Sequence, residues 1–431
     1  MSTTSPDGAK RNSPGAVLFA SLIGTTVEFF DFYIYATAAV LVFPHAFFPS
    51  SDPTAAMLQS LVTFALAFFA RPVGSAVFGH FGDRIGRKAT LVGALLTMGM
   101  STVAIGLLPT YETLGTTAAV LLALCRFGQG FGLGGEWGGA VLLATENAPE
   151  GKRAWYGMFP QLGAPIGFFL SASIFLWLGN NLSEADFFQY GWRIPFLASA
   201  VLVFVGLYVR LNITETPVFQ KTLDEDKRVK VPVVKVFREH TRALVLGTLG
   251  ATATFVLFYL MTVFALGCGT TALKFSRHDF LYIQLFSVLF FAIGIPLSAV
   301  LADRHGRRIT LVLVSAAIAL FGFATQALFG SGNTVLITVY LSLGMLLMGM
   351  TYGPLGTFLS EMFSTAVRYT GSSMTFNFAG ILGASLAPYL ATTLAKTYGL
   401  ASVGYYLTVM ATITMLALMA SRPEHEDRFE H

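Results

Sequence analysis

Charge is what this 431-residue chain has least of: Asp, Glu, Lys and Arg make up 12% of it, against roughly one-quarter in soluble domains. Too little polar surface is available to solvate a globule of this size, which excludes an ordinary water-soluble domain. Cysteine is nearly absent. Cys125 and Cys268 stand far apart, each in or beside an apolar run, so neither a disulfide framework nor a cysteine metal site is expected. No serine–histidine–acid order, metal-ligand spacing or phosphate loop occurs in a solvated context. We therefore expect no catalytic residues, no metal and no cofactor. The first 15 residues, polar and containing Ser, Pro and Gly, lack the layout of a cleaved leader, so the first apolar run is expected to be its own insertion signal.

What the chain has instead is apolar length. Apolar residues make up 54% of it and the mean hydropathy is +0.66. About 20 apolar residues span a bilayer, and such runs recur twelve times. They are placed at 16–43, 58–82, 89–109, 116–142, 155–179, 192–210, 243–268, 280–302, 309–329, 334–360, 371–395 and 399–420. The formal charge of +4 does not read as nucleic-acid binding, because the basic residues sort by loop. Twenty-one fall in the segments on one side, and only Arg193, Lys274, Arg277 and Lys396 on the other. The excess of Lys and Arg on the cytoplasmic side of membrane proteins places both termini in the cytosol. The lipid bilayer is the expected partner, and a monomer is expected to suffice.

The sequence also repeats. Gly82-Asp83-Arg84-Ile85-Gly86-Arg87-Lys88, after the second run, is echoed 220 positions later by Ala302-Asp303-Arg304-His305-Gly306-Arg307-Arg308, after the eighth. Glu146 precedes Arg153 by seven positions, as Glu361 precedes Arg368. The longest polar stretch lies between the sixth and seventh runs. These features divide the chain into an amino-terminal tail (1–15), a six-helix bundle (16–210), a linker (211–242), a second six-helix bundle (243–420) and a tail (421–431). The expected fold is an all-α membrane protein of twelve transmembrane helices in two pseudo-symmetric bundles. Parallel repeats of this kind place a site at their interface near the midplane.

These residues carry a family resemblance. Gly79-His80-Phe81-Gly82-Asp83-Arg84-Ile85-Gly86-Arg87-Lys88 resembles the loop 2–3 signature of the major facilitator superfamily. Glu28-Phe29-Phe30-Asp31-Phe32, Ala70-Arg71-Pro72-Val73-Gly74, Gly134-Gly135-Glu136-Trp137-Gly138-Gly139-Ala140 and Gly191-Trp192-Arg193-Ile194-Pro195-Phe196 resemble its metabolite:proton symporter family. The resemblance implies a secondary transporter of the inner membrane that moves a small molecule with a proton by alternating access. Members of that family carry organic acids such as shikimate, 2-oxoglutarate and citrate, or zwitterions such as proline and betaine.

Ionisable residues within spans are costly and mark functional sites. Five are expected there, all in the first half: Glu28 and Asp31, three apart on one helix face, Arg71, Arg126 and Glu136. Arg126-Phe127-Gly128-Gln129-Gly130 resembles the fourth-helix signature of proton-coupled facilitators, whose arginine partners a first-helix acid. The resemblance gives that place to Asp31, so Asp31, Arg126, Glu28 and Glu136 form the expected proton-coupling group. Arg71, before Pro72, has the planar fork that grips a carboxylate with two hydrogen bonds. Tyr35, Gln161, Tyr259, Gln284, Tyr352 and Asn377 are expected to complete a substrate pocket. Gly79, Asp83, Arg84, Arg87, Glu146 and Arg153, with Asp303, Arg307, Glu361 and Arg368, are expected to form a cytosolic gate. In it the family pattern sets Asp83 against the start of the eleventh helix, and the repeat sets Asp303 near Ala154.

Overall fold

The computed structural model describes residues 14–85, 87–212, 232–364 and 367–421, apart from the side chains at 14, 16, 17, 79–91, 143, 146, 210, 212 and 232. All regular structure among the described residues is helical. A backbone crossing lipid has no water to bond, so each crossing must satisfy its own amides and carbonyls. The spans are α1 (Pro14–Leu41), α2 (Pro53–Ile85), α3 (Arg87–Leu107), α4 (Thr116–Leu133 and Trp137–Glu146), α5 (Arg153–Asn181) and α6 (Arg193–Asn212). The second half supplies α7 (Thr241–Thr271), α8 (Arg277–His305), α9 (Arg307–Phe329), α10 (Thr334–Glu361), α11 (Arg368–Tyr398) and α12 (Leu400–Ala420). Ten of these are long and apolar enough to cross a membrane as they stand. α6 reaches that length with the short helix Glu184–Gly191, from which it bends by 44°, and α3 contributes the shorter apolar stretch Val92–Leu107. The twelve apolar runs of the sequence thus coincide with twelve helices.

Within the first half α1 packs on α5, α2 on α4 and α3 on α6; within the second, α8 packs on α10 and α9 on α12. The halves meet where α5 lies against α8 and α10, and where α2 lies against α11. Close crossing is made possible by glycine, and the sequence repeat is visible in where it occurs. A side chain at Gly74 of α2 would run into the Phe131 carbonyl of α4. At Gly294 of α8, 220 positions on, it would run into the Leu346 carbonyl of α10. Without a hydrophobic drive between helices in lipid, such close backbone packing is a principal source of association.

One span departs from the apolar pattern. The run expected at 116–142 is two helices, because Gly134, Gly135 and Glu136 form a turn within it. α7 and α11 also loosen into π-helical turns, at Leu260–Phe264 and Gly380–Ser385. These irregularities leave carbonyls without helical partners, and the side chains that satisfy them shape the site.

The crossings provide a test of packing. Gly130→Ala would press a methyl onto the Ala67 backbone, and Gly349→Ala onto the Phe291 carbonyl. Each should cost about 1–3 kcal/mol by overpacking and lower the unfolding midpoint of the detergent-solubilised protein. Gly15→Ala, with open space around it, should leave that midpoint unchanged. Equal midpoints for all three variants would refute the close-crossing account.

Candidate functional site

Twelve spans bring both described ends, Pro14 and Ser421, to one face, here the terminal face; the other is the opposite face. Between them, in the first half, lies a chain of polar groups sealed from solvent. Asp31 of α1 is fully buried and accepts from Ser199 Oγ of α6 at 2.5 Å and from Thr102 Oγ1 of α3 at 3.1 Å. Thr102 in turn accepts from Gln129 Nε2 at 2.8 Å, and Gln129 Oε1 accepts from Arg126 Nη1 at 3.0 Å. The expected direct partnership of Asp31 with Arg126 is therefore corrected: the two are joined through Thr102 and Gln129. The physical reason is that Arg126 is turned into a cage of rings. Its guanidinium carbon lies 4.0 Å from the Tyr35 ring centre, 4.3 Å from Phe32 and 5.0 Å from Phe64. Tyr35 is held there by its hydroxyl, which donates to Thr63 at 2.9 Å. Its place is under Arg126 rather than in a substrate pocket.

Arg71 shares these rings. Its guanidinium carbon lies 4.6 Å from the centre of Phe32 and 4.8 Å from that of Phe68, and cation–π attraction holds it there. Although Arg71 is 6% exposed, it makes no ion pair or hydrogen bond to any described residue, and its Nε is orphaned. Tyr259 of α7 closes the box from the second half, 5.7 Å from Phe68 and 5.6 Å from Phe64, centre to centre. Tyr352 of α10 lies edge-on to Phe29 and tilted against Phe291.

Below this region the terminal face is closed on the break in α4. The Gly134 carbonyl accepts from Ser75 Oγ and, at 3.4 Å, from Asn377 Nδ2, while the Gly135 carbonyl accepts from the Tyr369 hydroxyl. Asn377 also donates to Ser75 Oγ at 2.8 Å. Tyr369 and Asn377 belong to α11, so the second half satisfies carbonyls freed in the first. Trp137, which opens the second piece of α4, stacks on Phe376 at 3.6 Å and donates to Gln161 Oε1 at 3.0 Å. Gln161 passes the link on, from its Nε2 to the Tyr352 carbonyl at 2.9 Å.

Charge completes the closure at the membrane edge. Both Asp303 carboxylate oxygens accept backbone amides at the start of α5, from Ala154 and Trp155 at 3.0 Å. An anion is favoured there by the positive end of the helix. Arg307 lies 3.7 Å from Asp303 and 2.9 Å from Glu361. Arg368, buried, donates its Nε to the Ser360 carbonyl at 3.1 Å, and the Arg153 carbonyl accepts from Thr357 at 3.4 Å. The expected gate residues Gly79, Asp83, Arg84, Arg87 and Glu146 lie outside the described side chains.

At the opposite face the halves part around a cavity of about 750 Å³, lined by the ends of α1, α5 and α7 and the starts of α2 and α8. Two contacts join the halves at this face: Asn180 Nδ2 to the Tyr282 hydroxyl at 3.2 Å, and Lys396 to Asp52 at 3.1 Å. The Thr54 amide and then Lys396 hold the Asp52 carboxyl below its ordinary range.

The remaining sequence expectations fall as follows. Gln284 is not in the pocket: its Nε2 donates to the carbonyls of Thr262 at 2.8 Å and Met261 at 3.3 Å, which the π-helical turn of α7 releases. Asn377 serves the α4 break, and Glu136, buried, opens the helix after it. Sequence reasoning missed Thr102, Gln129, Ser199, Trp137 and Tyr369. Gln129 and Trp137 stand inside motifs already singled out. Thr102 and Ser199 carry no local signal, because a hydroxyl in an apolar helix most often bonds its own backbone.

The Major Facilitator Superfamily model matches residues 21–384, and the chain belongs to that family. It is a multi-pass membrane transporter and not an enzyme. It is 57% identical to the inner membrane metabolite transport protein YhjE of Escherichia coli K12, over 97% of this chain and 96% of that one. It is 35% identical to the shikimate transporter of the same organism, over 87% and 86%. It is 33% identical to the proline/betaine transporter of Salmonella typhimurium LT2, over 92% and 81%. Among solved structures, that of a D-xylose–proton symporter superposes with a TM-score of 0.73 at 18% identity, over 94% of this chain and 96% of that one. At that identity the likeness is one of fold.

The closure on α4 is testable. Tyr369→Phe with Asn377→Ala removes three bonds between the halves, each worth about 0.5–1.5 kcal/mol, and should shift the closed terminal face toward its open form roughly 10- to 2,000-fold. In a protein with Cys125 and Cys268 replaced by Ala, spin labels at Lys152 and Arg304 should report a growing long-distance population. An unchanged distance distribution would show that these bonds do not hold the face shut.

Proposed function

We propose that this protein imports a small carboxylate-bearing metabolite together with a proton, by alternating access across the inner membrane, with both termini in the cytosol. The observation that carries the reading is Arg71, a guanidinium buried at the junction of the halves with aromatic rings around it and no carboxylate or hydrogen-bond acceptor supplied by the described protein. A buried cation of this kind is costly unless something pairs with it, and a ligand carboxylate supplies two acceptors matched to its fork. Tyr259 meets the same Phe32 and Phe68 rings from the second half. Asp31 is the proton site. Its two hydroxyl donors can serve either protonation state by rotating, and the relay through Thr102 and Gln129 carries the change to Arg126, which shares the Phe32 ring with Arg71.

The two bundles, 16–210 and 243–420, act as the moving bodies around this region, with the 211–242 segment as their linker and one chain sufficient for the pathway. Closure of the terminal face on α4 and the cavity at the opposite face correspond to a state in which the external side is the less tightly shut. Asp303, Arg307, Glu361, Arg368 and Arg153 form the described part of the cytosolic gate. Names borne by relatives support the substrate class: one is a shikimate transporter.

A second reading has its own support, in the buried Glu28 one helical turn from Asp31 on α1 and in the relative named a proline/betaine transporter. A zwitterion would place its carboxylate on Arg71 and its cation toward Glu28. The rings nearest Arg71 already face two guanidinium groups, which favours the anion. A thermal-shift screen against organic acids and betaines at two pH values separates the two.

In proteoliposomes with an inward proton gradient, Asp31→Asn should abolish accumulation of substrate yet retain exchange across the membrane. Accumulation at the wild-type rate would remove Asp31 from the coupling role. Arg71→Lys keeps the charge but loses the two-pronged grip. Losing one charge-assisted hydrogen bond costs about 1.5–3 kcal/mol, so affinity should fall roughly 10- to 150-fold. Unaltered affinity would refute the carboxylate assignment.

A further inference from the structure

The indole of Trp137 divides its contacts between the halves. Its Nε1 donates to Gln161 of the first half at 3.0 Å, while its face lies on Phe376 of the second, 9° from parallel and 3.6 Å between centres. Glycine admits the ring: a methyl at Gly356 of α10 would come within 3.4 Å of the indole Cζ2. Phe255 of α7 meets Phe376 at 4.8 Å, so the second half supports its own member of the pair. Depth follows from the helices. Trp137 is nine residues from the end of α4 at Glu146, and Phe376 eight from the start of α11 at Arg368, both ends at the terminal face. Arg71 is fourteen from the end of α2 at Ile85, at the same face. At a rise of roughly 1.5 Å per residue the stack lies about 12–14 Å from that face and Arg71 about 21 Å. One turn deeper on the same side of α11, a methyl at Gly380 would come within 3.2 Å of Phe68, a ring that holds the Arg71 guanidinium. One side of α11 thus covers both the rings around Arg71 and the stack below them.

We infer that the Trp137–Phe376 stack is the seal between the Arg71 region and the terminal face, with Trp137 the residue that positions it. The bonds on Gly134 and Gly135 hold backbone to side chain, and breaking them strands carbonyls. The stack is different in kind. Its cross-half contact is a ring face, and the one polar bond of the indole stays within the first half, so the rings can part and meet again without leaving the indole N–H unsatisfied. Gln161, which holds the indole, also reaches across to the Tyr352 carbonyl and so aligns the ring against the second half. The inference rests on the alternating-access reading above for the need to open this face. It does not depend on which substrate passes or on Arg71 as its ligand.

The test is a double-mutant cycle on the full-length protein in lipid nanodiscs, read by the distance between spin labels at Lys152→Cys and Arg304→Cys, with Cys125 and Cys268 replaced by Ala. Trp137→Leu and Phe376→Leu should each raise the ratio of open to closed populations roughly 2- to 13-fold, the worth of one aromatic pair. The double variant should go no further than either single one, because no stack is left to break. Trp137→Phe, which keeps a ring on Phe376, should stay within about twofold of the parent. Should Trp137→Leu fail to fold, Trp137→Met takes its place in the cycle. A second readout tests the seal itself: with Phe68→Cys as the only thiol, a membrane-impermeant reagent applied to the terminal side of sealed vesicles should react several-fold faster beside Trp137→Leu than beside Trp137→Phe. A merely structural ring would lower the unfolding midpoint and leave the populations and the reaction rate alone. That result, or shifts that multiply in the double variant, would overturn the proposal. Failure of the transport reading alone shows differently: wild-type proteoliposomes accumulate no carboxylate, while the distance shifts remain.

Discussion

A broken helix in lipid must have its free carbonyls satisfied, and the break in α4 is the constraint on which the closed terminal face depends. No water reaches mid-membrane to do it, so the partners have to be protein. Ser75 is the partner from within the same half, and Tyr369 and Asn377 are the partners from the other. Glycine serves at two positions here. Its lack of a side chain lets the α2 backbone at Arg71 and Ser75 approach Gly134, and lets the Phe78 side chain pack on Gly135. Backbone satisfaction in one half has thereby become an attachment between halves. Because Trp137 follows the break at once, the attachment continues through Gln161 to the backbone at Tyr352.

Above the break, Arg71, Arg126 and Asp31 make no ion pair with a described residue. Arg71 and Arg126 lean on a shared set of aromatic faces, and Asp31 takes hydroxyls from two other helices. Rings stabilise a guanidinium without consuming its donors, which leaves Arg71 able to bind something else. A carboxylate held by neutral donors is likewise uncommitted to a fixed cation. The second half brings no Asp, Glu, Lys or Arg to this depth among its described residues. It contributes Tyr259, Tyr352 and carbonyls instead. The halves repeat in their helix crossings and differ in their chemistry.

Much of this was legible in the residues alone. Twelve spans follow from apolar length, because crossing lipid demands about 20 apolar residues whatever the fold. The repeat follows from two loops 220 positions apart. The five membrane-buried charges were legible because their rarity makes each conspicuous, and Arg71 and Asp31 were singled out on that ground. Asp303 and Arg307 could be named from the echo of one loop in the other, and Glu361 from the spacing that Glu146 and Arg153 share with Glu361 and Arg368.

Partnership was not legible. Sequence placed Asp31 and Arg126 together and Gln284 in a pocket, whereas the fold interposes Thr102 and Gln129 between the first pair and turns Gln284 onto a loosened backbone. Nor could it say that α4 is broken, since glycine is common in close-packed membrane helices whether or not they turn. Each of these depends on the rotation and depth of one helix against another, fixed by packing of side chains distant in sequence. Apolar length and rare charge are properties of the chain, and they determined the class of protein and the residues worth attention. Which donor meets which acceptor is a property of helix crossings, and only the tertiary structure decided it.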